Sequence, residues 1–345
     1  MPPSLSEEIA ATDRVIELER VNTTLQRQLE RAKGKTEDYV AAVYRGARDA
    51  AEIVGKATPV TKPERDSRKG SAEYAVLHIT DTHFGALTPT FNSDIADERL
   101  RSVVATTLRL TDIQRSHHPV KKCIVALGGD LIENTSIFPG QHWQVDATIF
   151  AQVFRAAAAI EAAILGLLGH FDTVDCYEVW GNHARVGRKG VGDYPRTDNW
   201  DRIVGEIVRE RLTQQRRITW HNNDKIWHSV ITAGHWSALL IHGDSIRQFG
   251  GNTPHAGIQK ALNRYAAGVT EPFTDALCGH FHTSMEIPLA NGGRAWVTPS
   301  LVSGSEFAAE FMGASAKPAQ RLLFVSPDRG RVSAEYLVYA EGASA

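Results

Sequence analysis

Tyr74-Ala-Val-Leu-His-Ile-Thr-Asp-Thr-His-Phe-Gly85 is the stretch on which the fold turns. Its first half, Tyr74 to Thr80, is an almost unbroken apolar run and reads as a strand buried on both faces. The chain then turns polar at once. Asp81 and His83 are two residues apart, so on an extended strand end they face the same side and offer a cation one carboxylate oxygen and one imidazole nitrogen. An Asp-x-His pair is not distinctive alone. Its weight comes from the same design recurring four more times along the chain.

The strand KKCIVALGG (121–129) leads directly into Asp130, whose two acceptor oxygens suit it to bridge two cations, while Gly128 and Gly129 let the backbone turn tightly beneath it. The strand TVDCYEVWG (173–181) leads into Asn182 and His183. Asn182 can give its amide oxygen to a metal, leaving His183 to face substrate, where an imidazole stabilises phosphoryl oxygens or protonates a leaving group. Leu239-Leu240-Ile241 ends in His242-Gly243-Asp244, and Cys278-Gly279 is followed by His280-Phe281-His282, which repeats the two-residue spacing of the first motif. All five offers are oxygen or nitrogen and none is thiolate, which points to a hard-to-intermediate divalent ion. Asn134 reads as a turn cap, and His78, inside an apolar strand, as a core histidine that can orient a ligand from behind.

Between the motifs, helices are expected near 94–116, 144–168, 200–212 and 253–267. The second half holds more strand than helix, with strands near 227–232, 236–241, 276–278, 283–288, 295–299, 320–326 and 331–339. Such alternation is the pattern of layered α/β architecture, whose sites form where strands end. Residues 8–34 are helical in propensity, with Val15, Asn22 and Leu29 at one heptad position and Leu18, Leu25 and Ala32 at the other. That is a short coiled-coil seam, or an amphipathic helix lying on the main domain. A second helix, 37–54, is stopped by Gly55. The Pro-, Ser- and charge-rich stretch 56–72 reads as a linker. The organisation is therefore a helical extension (1–55), a linker (56–72) and a catalytic domain (73–345).

The 345 residues carry 38 Lys and Arg against 40 Asp and Glu, a formal net charge of -2, so the chain lacks the overall basic balance of a nucleic-acid binder. A nucleic-acid substrate would need a local basic surface or the ions themselves. Cys123, Cys176 and Cys278 lie in or beside apolar runs and read as buried thiols of a reducing compartment. The first residues lack an export signal, and the apolar stretch Val153–Leu168 is interrupted by Arg155 and Glu161 as a core-facing helix would be. The expectation is a cytoplasmic protein with no membrane partner.

The order Asp-x-His, Gly-Asp, Gly-Asn-His, His-Gly and Gly-His-x-His resembles the calcineurin-like metallophosphoesterase superfamily over roughly residues 74–330. The resemblance implies a four-layer α/β/β/α sandwich, here with an N-terminal helical extension, and two divalent cations joined by a bridging carboxylate and hydroxide. It places Asp81, His83, Asp130 and His282 on the first ion and Asp130, Asn182, His242 and His280 on the second. His183 is then the unligated catalytic histidine. Manganese is the favoured ion, with zinc or iron also suited to the ligand set.

One departure stands out. Where the superfamily often has an acidic residue after Gly-Asn-His, this chain has Ala184, so Asp244 or another carboxylate would have to support His183. Within the superfamily the chain is similar to phage-type DNA repair exonuclease-like phosphoesterases, through the basic loop residues Arg185, Arg188, Lys189 and Arg196 and the later Asn199-x-Asp201. This implies an exonuclease-like DNA nuclease of a bacterial or phage-infected cell, with those four basic side chains on backbone phosphates and a homodimer or larger homo-oligomer formed through the N-terminal helix. Two other readings stay open: a phosphatase or phosphodiesterase acting on small-molecule or protein phosphoesters, and a non-enzymatic scaffold. Trp143 with His142 either lines the cleft or anchors the long helix.

Overall fold

β1 (Glu73–Ile79) is buried along its length except at Tyr74, which is half-buried. Its side chains alternate between two cores: Ala75, Leu77 and Ile79 join one apolar cluster and Val76 another. A strand covered on both faces must be apolar at nearly every position, which is why this run shows no polar alternation. The computed structural model describes residues 44–64, 66–187, 197–221, 227–246, 255–269, 271–304 and 317–340, with single helical positions between 20 and 42.

The first sheet continues through β2 (Val120–Leu127), β3 (Thr173–Glu178) and β4 (Ile218–Trp220) on one side of β1, all parallel. On the other side lie antiparallel β10 (Ala319–Ser326) and β11 (Arg331–Tyr339), giving the order β11-β10-β1-β2-β3-β4. The second sheet is formed by β5 (His228–Ala233), β6 (Trp236–Ile241), β7 (Asp275–Cys278), β8 (Met285–Pro288) and β9 (Arg294–Val297), in the order β5-β6-β7-β9-β8. The sheets face each other across Val76, Ile124, Tyr177, Trp236, Leu240, Leu277, Trp296 and Leu323. Helices α1 (Ser93–Gln114), α2 (Ile149–Leu168) and α3 (Trp200–Arg211) cover the outer face of the first sheet, and α4 (His255–Gly268) covers that of the second. The result is the four-layer α/β/β/α sandwich expected.

Strand register positions the site. Ile79 pairs with Leu127 and Leu127 with Glu178, so β1, β2 and β3 end level with one another; in the second sheet Ile241 pairs with Cys278. Parallel strands that stop together release their following loops along one edge.

Several boundaries differ from expectation for local reasons. α2 begins at Ile149, where Thr148 caps it, and not at 144. Residues 144–146 are drawn instead toward the loop after β1: Leu87 N–H donates to the Gln144 carbonyl, and the Asp146 carboxylate accepts from the backbone and hydroxyl of Ser93. α2 is long and apolar enough to cross a membrane by length and composition, but most of it is buried in this fold, and its Glu161 is paired with Arg211. Residues 44–54 are helical, with Ala47 and Ala51 in the first core, and Gly55 ends the turn at φ 83°. The described residues after it have no regular structure until β1, yet they are held: the side chains of Gln215 and Arg217 bond the carbonyls of Ala57, Thr58, Val60 and Thr61. The coiled-coil positions Val15, Leu18, Asn22, Leu25, Leu29 and Ala32 lie outside the described residues.

Candidate metal centre

Five loops leave the level strand ends, and the backbone at their tips is unusual. Among the described residues, six other than glycine have φ in the left-handed region: Asp81 (51°), His83 (46°), Asp130 (49°), Asn134 (73°), His280 (69°) and His282 (51°). Five of these are candidate ligands. A residue with a Cβ pays about 1–3 kcal/mol to sit there, so this concentration marks loops shaped for where their side chains point.

The side chains converge in two groups. In the first, His282 Nε2 lies 3.2 Å from Asp81 Oδ1 and 3.0 Å from His83 Nε2. In the second, His242 Nε2 lies 3.0 Å from Asp130 Oδ2 and 3.1 Å from Asn182 Oδ1, and His280 completes a cluster with Asp130 and His242. Asp130 also groups with His83 and His183, so its carboxylate stands between the two sets. The structure thus brings together all seven sequence-derived ligands, with His183 at their edge.

The supporting contacts fix which ring nitrogen faces inward. His242 Nδ1 donates to the Gly128 carbonyl at 2.9 Å, and His83 Nδ1 to Glu133 Oε2 at 2.8 Å, leaving each Nε2 as an acceptor aimed at the cluster. His83 Nε2 and His282 Nε2 face each other at 3.0 Å, close enough for the two rings to share a proton or a cation. Burial opposes charge throughout, yet neighbouring carboxylates hold His83 well above its ordinary pKa and raise His242 to about 10. Asp81 and Asp130, equally buried, are held below the usual carboxylate range by the surrounding histidines. His280 is lowered to about 4, by burial and by His242. The carboxylates thus favour positive charge at His83 and His242. Carboxylate, amide and imidazole donors in two groups sharing Asp130 fit a pair of divalent ions.

Two glycines are required by this geometry. A Cβ on Gly181 would overlap the Asp130 carboxylate, and one on Gly279 would overlap both Thr80 Oγ1 and the Asp81 carboxylate. The His280 backbone N–H, just after Gly279, donates to both Asp81 oxygens at 3.1 and 3.0 Å.

Sequence reasoning missed Glu133. Its Oε2 accepts from His83 Nδ1 and also lies 3.2 Å from His183 Nδ1, so one buried carboxylate orients a ligand and the catalytic candidate together. It is the acid that Ala184 cannot provide. Burial opposes its charge, but His183 and His83 keep it well below the ordinary glutamate range, and His183 is raised in return by Glu133 and Asp130. Asp244, the carboxylate singled out from sequence for this role, is instead paired with Arg185. Asn134 does more than cap its own turn, since its side-chain amide donates to the carbonyls of His183 (2.7 Å) and Arg185 (2.9 Å). Proximity in sequence was the available signal for both residues: Glu133 and Asn134 follow Asp130 by three and four positions.

A second buried carboxylate ties the loops from behind. Asp201 accepts the backbone N–H groups of Asp130 (2.9 Å), Leu131 (3.0 Å) and Gly181 (2.9 Å), while Asn199 caps α3 and donates to the Gly181 carbonyl at 2.9 Å. Burial and the nearby Asp130 push Asp201 up to about 7. His78 is a core residue, its Nδ1 2.7 Å from Thr298 Oγ1 across the two sheets. Of the predicted phosphate-binding cluster, Arg185 is half-exposed, and Arg188, Lys189 and Arg196 lie outside the described residues. Trp143 does not anchor α2; it is 80% exposed on a short 3-10 turn, Gln141–Trp143.

No protein-family model matches the chain, and no curated protein matches it. Among solved structures it is similar to Vps29 complexed with zinc from Entamoeba histolytica, at 12% identity and TM-score 0.32 over 76% of this chain and 99% of that one. A predicted phosphoesterase from Streptococcus pneumoniae gives 12% identity and TM-score 0.32 over 78% and 99%. The purple acid phosphatase from yellow lupin seeds gives 14% identity and TM-score 0.36 over 80% of this chain and 55% of that one. Likenesses of this size are silent on activity.

Proposed function

We propose that the chain is a metal-dependent phosphodiester hydrolase of the calcineurin-like metallophosphoesterase type, acting on DNA as an exonuclease-like nuclease. One observation carries the hydrolase reading: two oxygen- and nitrogen-donor clusters share Asp130, with His183 held at their edge by Glu133. Two divalent cations held there, manganese being the proposed pair and zinc or iron also fitting the donors, would acidify a shared water and offset charge on the phosphoryl oxygens.

The chain's own groups do the rest. Glu133 takes the Nδ1 side of His183, which leaves its Nε2 to face substrate and hand a proton to the departing ester oxygen. The His183 backbone N–H donates to Asp130 Oδ1 at 2.7 Å, so the ring is placed relative to the shared carboxylate itself. The His83 ring meets His183 edge-on at 4.6 Å and limits its rotation.

DNA is supported by the resemblance of the Arg185–Asp201 segment and by the position of Arg185 two residues after His183. A second reading, hydrolysis of small-molecule or protein phosphoesters, is favoured by the pairing of Arg185 with Asp244, which takes up the one described charge of the basic cluster. The test is metal-stripped protein reloaded with Mn²⁺ and given end-labelled linear DNA, circular single-stranded DNA, circular duplex DNA and an aryl phosphodiester. Cleavage of linear DNA that disappears in Asp130→Asn and His183→Ala supports the first reading. Turnover of the aryl ester alone supports the second, and loss of neither activity in the variants removes both.

A further inference from the structure

We infer that Thr80 is a positioning residue of the metal centre: its hydroxyl holds Oδ2 of Asp81, so that Oδ1 alone is presented to the ion bound with His83 and His282. The inference rests on the two-ion reading above and on none of its substrate claims.

The Asp81 backbone is fixed on both sides. Its N–H donates to the Gly129 carbonyl at 2.9 Å, and its carbonyl accepts from Ser300 Oγ at 2.8 Å and from the Leu301 N–H at 3.1 Å. What remains to be set is the rotation of the carboxylate. The Thr80 hydroxyl has one proton, and its nearest acceptor is Asp81 Oδ2 at 2.6 Å; the Gly129 carbonyl is farther, at 3.4 Å. The shorter length is that of a charge-assisted bond to an ionised oxygen, roughly twice as strong as a neutral one. Oδ1 is turned to the imidazoles, 3.2 Å from His282 Nε2 and 3.8 Å from His83 Nε2. The His280 N–H reaches both oxygens and so does not choose between them. Thr80 does.

Elements of both sheets close round this hydroxyl. Thr80 directly follows β1, and its N–H donates at 2.7 Å to Gln320 Oε1 on β10, while Gln320 Nε2 is anchored on the carbonyls of Pro299 (2.9 Å) and Ala319 (2.7 Å). A Cβ on Gly128, after β2, would overlap Thr80 Cβ and Oγ1, and one on Gly279, after β7, would overlap Oγ1. Two of the motif glycines are therefore bare where the hydroxyl stands. Thr80 is fully buried, so it acts through Asp81 and not on substrate. A hydroxyl buried there is costly unless bonded, and the carboxylate is its bond.

The test titrates the full-length, metal-stripped protein with Mn²⁺ and reads binding from the electron paramagnetic resonance signal of the free ion, without turnover. Two backgrounds separate the clusters: His83→Ala disables the one containing Asp81, and His242→Ala disables the other. In His242→Ala, Thr80→Val should weaken the remaining ion by about 10–100-fold, and Thr80→Ser, which keeps the hydroxyl, should bind it as Thr80 does. In His83→Ala, Thr80→Val should leave the remaining ion's affinity unchanged, which also shows that the variant folds. Losses of equal size in both backgrounds, no loss in either, or a Thr80→Ser variant as weak as Thr80→Val overturn the assignment. A wild type that takes up no Mn²⁺ overturns it together with the two-ion reading. A protein that binds two ions and cleaves no phosphoester sinks the hydrolase reading alone, and the titration still decides the role of Thr80.

Discussion

Glu133 shows what single residues in this site do beyond ligation. Its carboxylate reaches both His83 and His183, so Glu133→Gln should cut kcat by about 100-fold while loosening ion binding less, because the ligand His83 keeps its other contacts. Parallel measurement of kcat and of ion affinity separates the two effects; an unchanged kcat would remove Glu133 from the account. Protonation supplies a second prediction. In the ion-free protein His242 titrates near 10, above its ordinary 6.5, so the stability it contributes is fully present below about pH 6.5 and is lost as pH rises toward 10. His83 and His183 are raised too and act in the same direction. Denaturant melts of the stripped protein should therefore show stability falling across that window, and ion affinity rising with pH as each cation displaces protons. A flat stability profile would contradict the charge arrangement. The ligands were legible in the sequence because each stands within four residues of an apolar strand's end, a signal that needs no knowledge of neighbours. Glu133 was near enough to Asp130 in sequence to be noticed, but its role was not legible, because its partner His183 is brought to it only by the pairing of β2 with β3, a tertiary event.

At the scale of elements, the site is a set of loops tied together from beneath. Asp201, on the first turn of α3, collects three backbone N–H groups from the loops after β2 and β3, and no local pattern announces that a helix start 71 residues after Asp130 will lock it. Asp201→Asn would turn one acceptor into a donor facing N–H groups. It should cost about 1–3 kcal/mol in unfolding free energy and about 10–100-fold in ion affinity. Calorimetric melts and metal titration check the pair of effects, and a loss of stability with unchanged affinity would reduce Asp201 to a structural tie. Gly279→Ala should be more selective, driving a methyl group into the Asp81 carboxylate and lowering occupancy of the cluster with His83 and His282 before that with His242. The strands themselves were readable to within a few residues from apolar runs. The late start of α2 was not, since residues 144–146 are claimed by the loop after β1 against their helical propensity.

The whole molecule is a device for bringing strand ends from two sheets to one edge, three from the first and two from the second. The layered α/β character followed from the alternation of elements and the four layers from the resemblance, but the strand order within each sheet is set by long-range pairing and was not written locally. We propose that residues 8–34 pair as a short coiled coil: deleting residues 1–34 should then lower the oligomeric mass in solution and leave ion binding intact, measured by light scattering and metal titration, and an unchanged mass would remove that proposal. The central claim is that two cations sit side by side around Asp130. Its most direct measurement is the number of Mn²⁺ ions bound per chain at saturation, read together with their spin coupling by electron paramagnetic resonance. The account predicts two ions per chain, coupled as expected for a separation of about 3.5–4 Å, with Asp130→Asn losing the coupling. A wild-type protein that saturates at one ion, or holds two that do not sense each other, would contradict it.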